Sequence, residues 1–370
     1  MKGDMILKDE IKIPKSLQAN LSNKFTQASG NAFSAKKVDN TFWKERLKGV
    51  DGTKQNWNLL KQCFPALNFP IKEGIGGADS YKSGVLKGDF NIDSENCLQL
   101  HNEEQIAFGI YESFAGVVLV LTIPDEQDFV KIIQALLYKN APVSLPTSMG
   151  AALINGINNW GKIKALRKKW AQTNTADTWA EEFKNKILPY PELYKDKIVV
   201  LSKKPYSNIS ANNLGLEEKK WLELSHRIRL AHECTHQYTL QKYGIASNNL
   251  HDELIADYVG IVLANGAFEE EWMLTFLGLE NFPHYREGAR FQNYIGEIAV
   301  NSKDFKVLAE IIKKAIKNIA LMDKKLNVLL NSLEIRIRIQ TLCETDIIQM
   351  ASTKGEHILM TKYEELFHII

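Results

Sequence analysis

Residues 229–260 read RLAHECTHQYTLQKYGIASNNLHDELIADYVG, and this stretch decides how the chain is organised around its chemistry. Its spacing predicts two helices. The first runs from about Leu216 to Tyr243 and stops at Gly244, where a C-terminal capping glycine belongs. The second runs from Leu250 to about Ala264 and closes at Asn265-Gly266. Trp221, Leu222, Leu224, Ile228, Ala231 and Tyr238 recur at helical spacing and support the first helix independently. Inside it, His232-Glu233-Cys234-Thr235-His236 sets two histidines four residues apart, so both imidazoles leave one face and can meet one ion. Glu233 is turned about 100° away, which lets its carboxylate reach a water at that ion without becoming a ligand. Cys234 lies two positions from each histidine, faces the other way and reads as a packing residue.

An HExxH pattern arises by accident in about 1% of chains with these His and Glu frequencies, so the second helix matters. Glu253 follows His236 by 17 positions, room for one helix to end, the chain to turn, and the next helix to return alongside. Glu253 would then add an oxygen to two nitrogens and leave a fourth position open, the ligand set of catalytic rather than structural zinc. A first-turn carboxylate favoured by the helix dipole is the plainer reading of Glu253, and His251 and Asp252 beside it are substitute ligands. Asp257 lies four residues on, on the same face, where it can accept the second ring N–H of a ligand histidine.

Together these motifs resemble the glutamate zincins, the thermolysin-like zinc metallopeptidases, with HExxH on one helix and ExxxD on a following one. The resemblance implies Zn²⁺ held by His232, His236 and Glu253, Glu233 as general base, and Asp257 orienting a ligand histidine. It further implies hydrolysis of a peptide or amide bond by a zinc-activated water, and a second donor for the oxyanion that develops. The candidates for that donor are His284, Tyr285 and Arg286 in Pro283–Arg290 (PHYREGAR), with Tyr206 as a rival. By the same analogy the Ile198–Ser202 strand is expected to form a sheet edge lining the cleft and pairing with an extended substrate.

Outward from this segment the chain is ordinary. It has 370 residues, 45% hydrophobic and 24% charged, enough for two domains or one large one. This excludes a collagenous, disordered or disulfide-stapled protein. The 46 basic and 44 acidic side chains leave +2, so neither nucleic acid nor an anionic membrane is expected as a partner. Cys63, Cys97, Cys234 and Cys343 are scattered without a CxxC pair, which suits a reducing compartment and rules out a locally assembled cysteine zinc site. The opening MKGDMILKDEIKIPKS lacks a signal-peptide pattern. Phe114–Ile123 is about half the length of a membrane span. The cytoplasm is the expected location, with signal-independent export left open.

The remaining pattern predicts strands at Cys97–Leu100, Gln105–Tyr111, Val117–Leu121 and Ile198–Ser202. Helices are expected near Asn40–Val50 and Asn56–Cys63, from Asp125 or Glu126 through Leu137, and almost throughout beyond Ser302. Glu73–Ser83 and the Pro/Gly-bearing APVSLPTSMGAALINGINNW (141–160) read as surface connections. The fold expected is α+β and zincin-like: a small mixed sheet, an active-site helix and a largely helical C-terminal region. Residues 1–90 are expected to be a polar region capping the cleft, 91–300 the catalytic domain and 301–370 a helical region. Two rivals to a peptidase stand: a metal enzyme acting on a small molecule, and a non-catalytic zinc-binding interaction protein, which an intact Glu233 disfavours.

Overall fold

Two apolar strands organise the first half of the molecule. In the computed structural model, which describes residues 13–26, 40–48, 53–89, 97–173, 177–246, 249–326 and 331–369, the fold is α+β. Strands β1 (Ala107–Ser113), β2 (Gly116–Ile123), β3 (Ala151–Asn158) and β4 (Lys195–Ser202) form one mixed sheet in the order β1-β2-β4-β3. β2 pairs with β4 in parallel, Leu119 opposite Ile198, while β1 and β3 flank them antiparallel. The near-continuous apolar runs of β2 and β4 follow from this central position, where both faces are covered.

The sheet belongs to a unit spanning residues 35–204. Helix α1 (Thr53–Cys63) supplies Trp57 and Leu60, and helix α2 (Glu126–Leu137) supplies Phe129, Ile132 and Ile133, to one core with Leu119, Leu121, Ile198 and Val200. Asp125 starts α2 by accepting from the Gln127 and Asp128 amides, both at 2.9 Å. Trp43, Phe64 and Leu67 complete the same core. Within residues 40–87, Trp43, Trp57, Leu60, Phe64 and Leu67 are therefore part of the core of the sheet unit.

The helical unit comprises residues 1–34 and 205–370. Its longer helices are α3 (Glu218–Tyr243), α4 (Leu250–Asn265), α5 (Glu270–Leu277), α6 (Lys303–Asp323), α7 (Ser332–Glu344) and α8 (Gly355–Ile369). Helix α4 is buried almost all round, from Leu250 to Val262, which marks it as the central element. Phe25 packs edge-on against Tyr243 at 5.3 Å and His251 at 5.4 Å. His251 Nε2 meets the Leu342 carbonyl at 2.9 Å, and Tyr258 donates to Asp323 at 2.7 Å.

The division thus falls at 34/35 and 204/205, not at 90 and 300. The strands and the HExxH helix lie in different units, and the C-terminal helices share a unit with that helix. Other expectations change too. β4 lies between β2 and β3 and has no free edge to offer a peptide. Cys97–Leu100 is not a strand, whereas β3 arises inside the stretch read as a connection. Gly156, at φ +80°, sits at a register shift between Asn155 and Ile157 that interrupts the alternation of a strand. Helix Asp79–Lys87 begins within the stretch read as the Glu73–Ser83 loop. Among the described residues no helix is long and apolar enough to cross a membrane.

Candidate metal centre

The centre is assembled by two neighbouring helices and one distant turn. Helix α3 ends at Gly244 (φ +71°), and α4 begins where Asn249 caps it by accepting from the Asp252 amide at 2.9 Å. The two helices pack closely at Gly260: a Cβ there would come within 3.0 Å of both Ile228 Cγ2 and the Ile228 carbonyl oxygen. That approach brings Glu253 opposite His232 and His236.

The three expected ligands converge. His232 Nε2 and His236 Nε2 are 3.0 Å apart, His236 Nε2 lies 3.5 Å from Glu253 Oε1, and His232 Nε2 lies 3.6 Å from Glu253 Oε2. Four-coordinate binding at about 2.0–2.1 Å per ligand separates ligand atoms by about 3.4 Å, so the residues present fit a small divalent cation. All three side chains are buried.

Each imidazole has its own carboxylate. His232 Nδ1 lies 2.9 Å from Asp257 Oδ1, and His236 Nδ1 lies 3.2 Å from Asp252 Oδ2. With Nδ1 of His232 on Asp257 and Nδ1 of His236 beside Asp252, both Nε2 atoms face the same point, alongside the Glu253 oxygens. Such a group of buried acceptors calls for a positive charge between them. Burial opposes the charge on His236, but Asp252 and Glu253 outweigh it and raise the basicity of the ring.

An outer ring of polar groups surrounds these carboxylates. Arg290 donates through Nη1 to Asp257 Oδ2 at 3.0 Å and through Nη2 to Glu253 Oε2 at 2.7 Å. Tyr294 donates to Glu253 Oε2 at 2.9 Å, and Tyr206 donates to Asp257 Oδ1 at 2.5 Å while lying 3.0 Å from His232 Nδ1. Burial alone would push Glu253 upward, yet His236, His232 and Arg290 hold it well below the usual carboxylate range. Asp257 is likewise held down, burial being outweighed by Arg290 and His232. Burial keeps Tyr206 a phenol.

Glu233 is different. It is only 6% exposed, and among the described residues it makes no hydrogen bond or ion pair. Burial raises its pKa above the ordinary carboxylate value, with the charges of His232 and His236 pulling the other way. Cys234, the packing residue of the motif, is fully buried.

The expected oxyanion donors are placed elsewhere. His284 is exposed. The Tyr285 hydroxyl donates to the Ala289 carbonyl at 2.7 Å, and its ring packs against Phe305 at 5.0 Å. Arg286 pairs with Glu280 at 2.7 Å. Among the described residues none of the three bonds to His232, His236 or Glu253. The same stretch instead delivers its last residue, Arg290, and four positions on Tyr294, which sequence reasoning passed over. A short helical turn, Arg290–Tyr294, aims both inward. Tyr206 does reach the centre, but behind His232, with its hydroxyl already shared among Asp257, His232 and Arg290.

No curated protein and no solved structure matches the chain. Residues 7–354 match the family described as Family of unknown function (DUF7005), and the chain belongs to that family.

Proposed function

We propose that the chain is a zinc-dependent hydrolase that cleaves a peptide or amide bond, with a zincin-like site built on α3 and α4. The observation that carries the reading is Glu233, a buried carboxylate with no hydrogen bond or ion pair among the described residues, beside three ligand atoms that converge at cation-binding separations. Held by His232, His236 and Glu253, zinc would supply a Lewis acid and a water of lowered pKa.

The chain's own residues divide the remaining work. Glu233 takes a proton from the attacking water and returns it to the leaving nitrogen. Its raised pKa suits both halves of that task, since a stronger base is also a usable acid. Asp257 accepts at Nδ1 of His232 and Asp252 lies 3.2 Å from Nδ1 of His236, and these contacts favour each Nε2 facing the shared point.

Metal analysis of the purified chain, with wild type and Glu233→Gln assayed on a mixed peptide library, tests the reading. The expected result is one equivalent of zinc in both proteins, cleavage by wild type, and a loss of at least about 10²-fold in the variant. Zinc without cleavage removes the peptidase reading, and failure of wild type to take up zinc removes the metal centre.

A further inference from the structure

Among the described residues Arg290 hydrogen-bonds to neither ligand imidazole, yet its guanidinium joins the two carboxylates beside them. Nη2 takes Glu253 Oε2 at 2.7 Å; Nη1 reaches both oxygens of Asp257, at 3.1 and 3.0 Å, and also Ser207 Oγ at 3.2 Å and the Tyr206 hydroxyl at 3.0 Å. Nε and Nη2 both engage the Tyr294 hydroxyl, at 3.2 and 3.0 Å, and that hydroxyl in turn donates to Glu253 Oε2 at 2.9 Å. Glu253 and Asp257 are one helical turn apart, of like charge, and 4% and 0% exposed. Two buried carboxylates so placed repel each other unless a cation lies between them.

Resting on the metal-centre reading, we propose that Arg290, backed by Tyr294, is a positioning residue that decides which oxygen of Glu253 is offered to the ion. Two donors occupy Oε2, so Oε1 is the oxygen left with free lone pairs. Ligation through one oxygen keeps the coordination number low and leaves a position for water. The fork also ties Glu253 to Asp257, and through Asp257 to the ring of His232, so one guanidinium sets the orientation of two of the three ligands. Lysine keeps the charge but not the planar fork, and reaches only one of the two carboxylates at a time.

The test uses cobalt as an optical probe for the site, with zinc for affinity. Arg290→Met, Arg290→Lys and Tyr294→Phe are prepared as full-length chains, and their circular dichroism and thermal melts are compared with wild type. Expected are zinc affinities reduced by about 10–100-fold in Arg290→Met, less in Arg290→Lys and least in Tyr294→Phe. The cobalt absorption of wild type is expected to be intense, as for four ligands. It should weaken in Arg290→Met as Glu253 turns both oxygens inward and the coordination number rises. Tyr294→Phe removes one hydroxyl and keeps the charge pair, so it reports on positioning even where Arg290→Met fails to fold. Wild-type affinity and an unchanged cobalt spectrum in a folded Arg290→Met, or an unchanged spectrum in Tyr294→Phe where Arg290→Met does not fold, overturn the inference and leave the metal centre standing. A wild type that binds neither metal overturns both.

Discussion

Each unit of the chain buries a polar cluster, and the two are built on opposite plans. In the sheet unit Asp196 receives Lys162 Nζ at 2.6 Å on one oxygen, and Asn159 Nδ2 at 2.6 Å and Trp43 Nε1 at 2.9 Å on the other. One carboxylate meets one ammonium, both oxygens are satisfied, and the Asn159 side chain caps its own helix through the Lys162 amide at 3.0 Å. The cluster is closed. In the helical unit Glu233, Asp252, Glu253 and Asp257 bring four carboxylates around two imidazoles, and Arg290 is the guanidinium bonded among them. The Nε2 atoms of His232 and His236 and the Glu253 oxygens facing them point at one another instead of at donors. Burial of charge is therefore no sign of function by itself; the sheet unit buries charge to join Trp43 to the strand end. The sign is an imbalance that the chain's own residues leave uncorrected.

The sharpest way to break this contrast is to unbalance the closed cluster. Lys162→Met leaves Asp196 buried without its cation, which typically costs about 3–5 kcal/mol. Hydrogen exchange read peptide by peptide should show lost protection in β4 and in Trp160–Trp170, with zinc content unchanged. An exchange pattern like that of wild type would mean that Asp196 relaxes to water, and the cluster is less closed than its distances say.

Chelation should do the reverse. If the open cluster is completed by a divalent cation, free metal at about 100–1,000 times its dissociation constant stabilises the folded state by about 3–4 kcal/mol. Removing it should raise exchange in peptides covering 229–260 and leave β4 protected. Equal protection in 229–260 with and without chelator would show that the histidines and carboxylates are balanced by protons, and the comparison between the clusters would fail.

What was legible in the sequence tracks how local each feature is. His232, Glu233, His236, Glu253 and Asp257 lie on two consecutive helices, so helical periodicity alone places them relative to one another. Asp252 was visible only as a substitute ligand. Its neighbour Glu253 takes that position, and Asp252, about 100° round the helix, meets the far nitrogen of His236. Arg290 and Tyr294 lie 37 and 41 residues from Glu253, and no period connects them to it. β3 was hidden by its glycine and register shift, whereas the helices carrying Trp43 and Trp57 fall where the pattern near Asn40–Val50 and Asn56–Cys63 put them. The division into units was illegible because it depends on which apolar faces find each other across the chain.

The smallest expected effect falls on the residues that sequence reasoning placed at the centre and the structure places outside its bonds. The hydroxyl of Tyr285 closes a local turn on the Ala289 carbonyl and accepts from the Gln292 amide at 3.3 Å. Tyr285→Phe should cost about 1 kcal/mol in denaturant unfolding, the net value of one hydrogen bond. His284→Ala, at an exposed position, should cost less than about 0.5 kcal/mol. Neither should change zinc affinity or any Glu233-dependent cleavage. A fall in cleavage with zinc affinity unchanged would instead place Tyr285 against the substrate, and the contrast between the two halves of residues 283–294 would have to be redrawn.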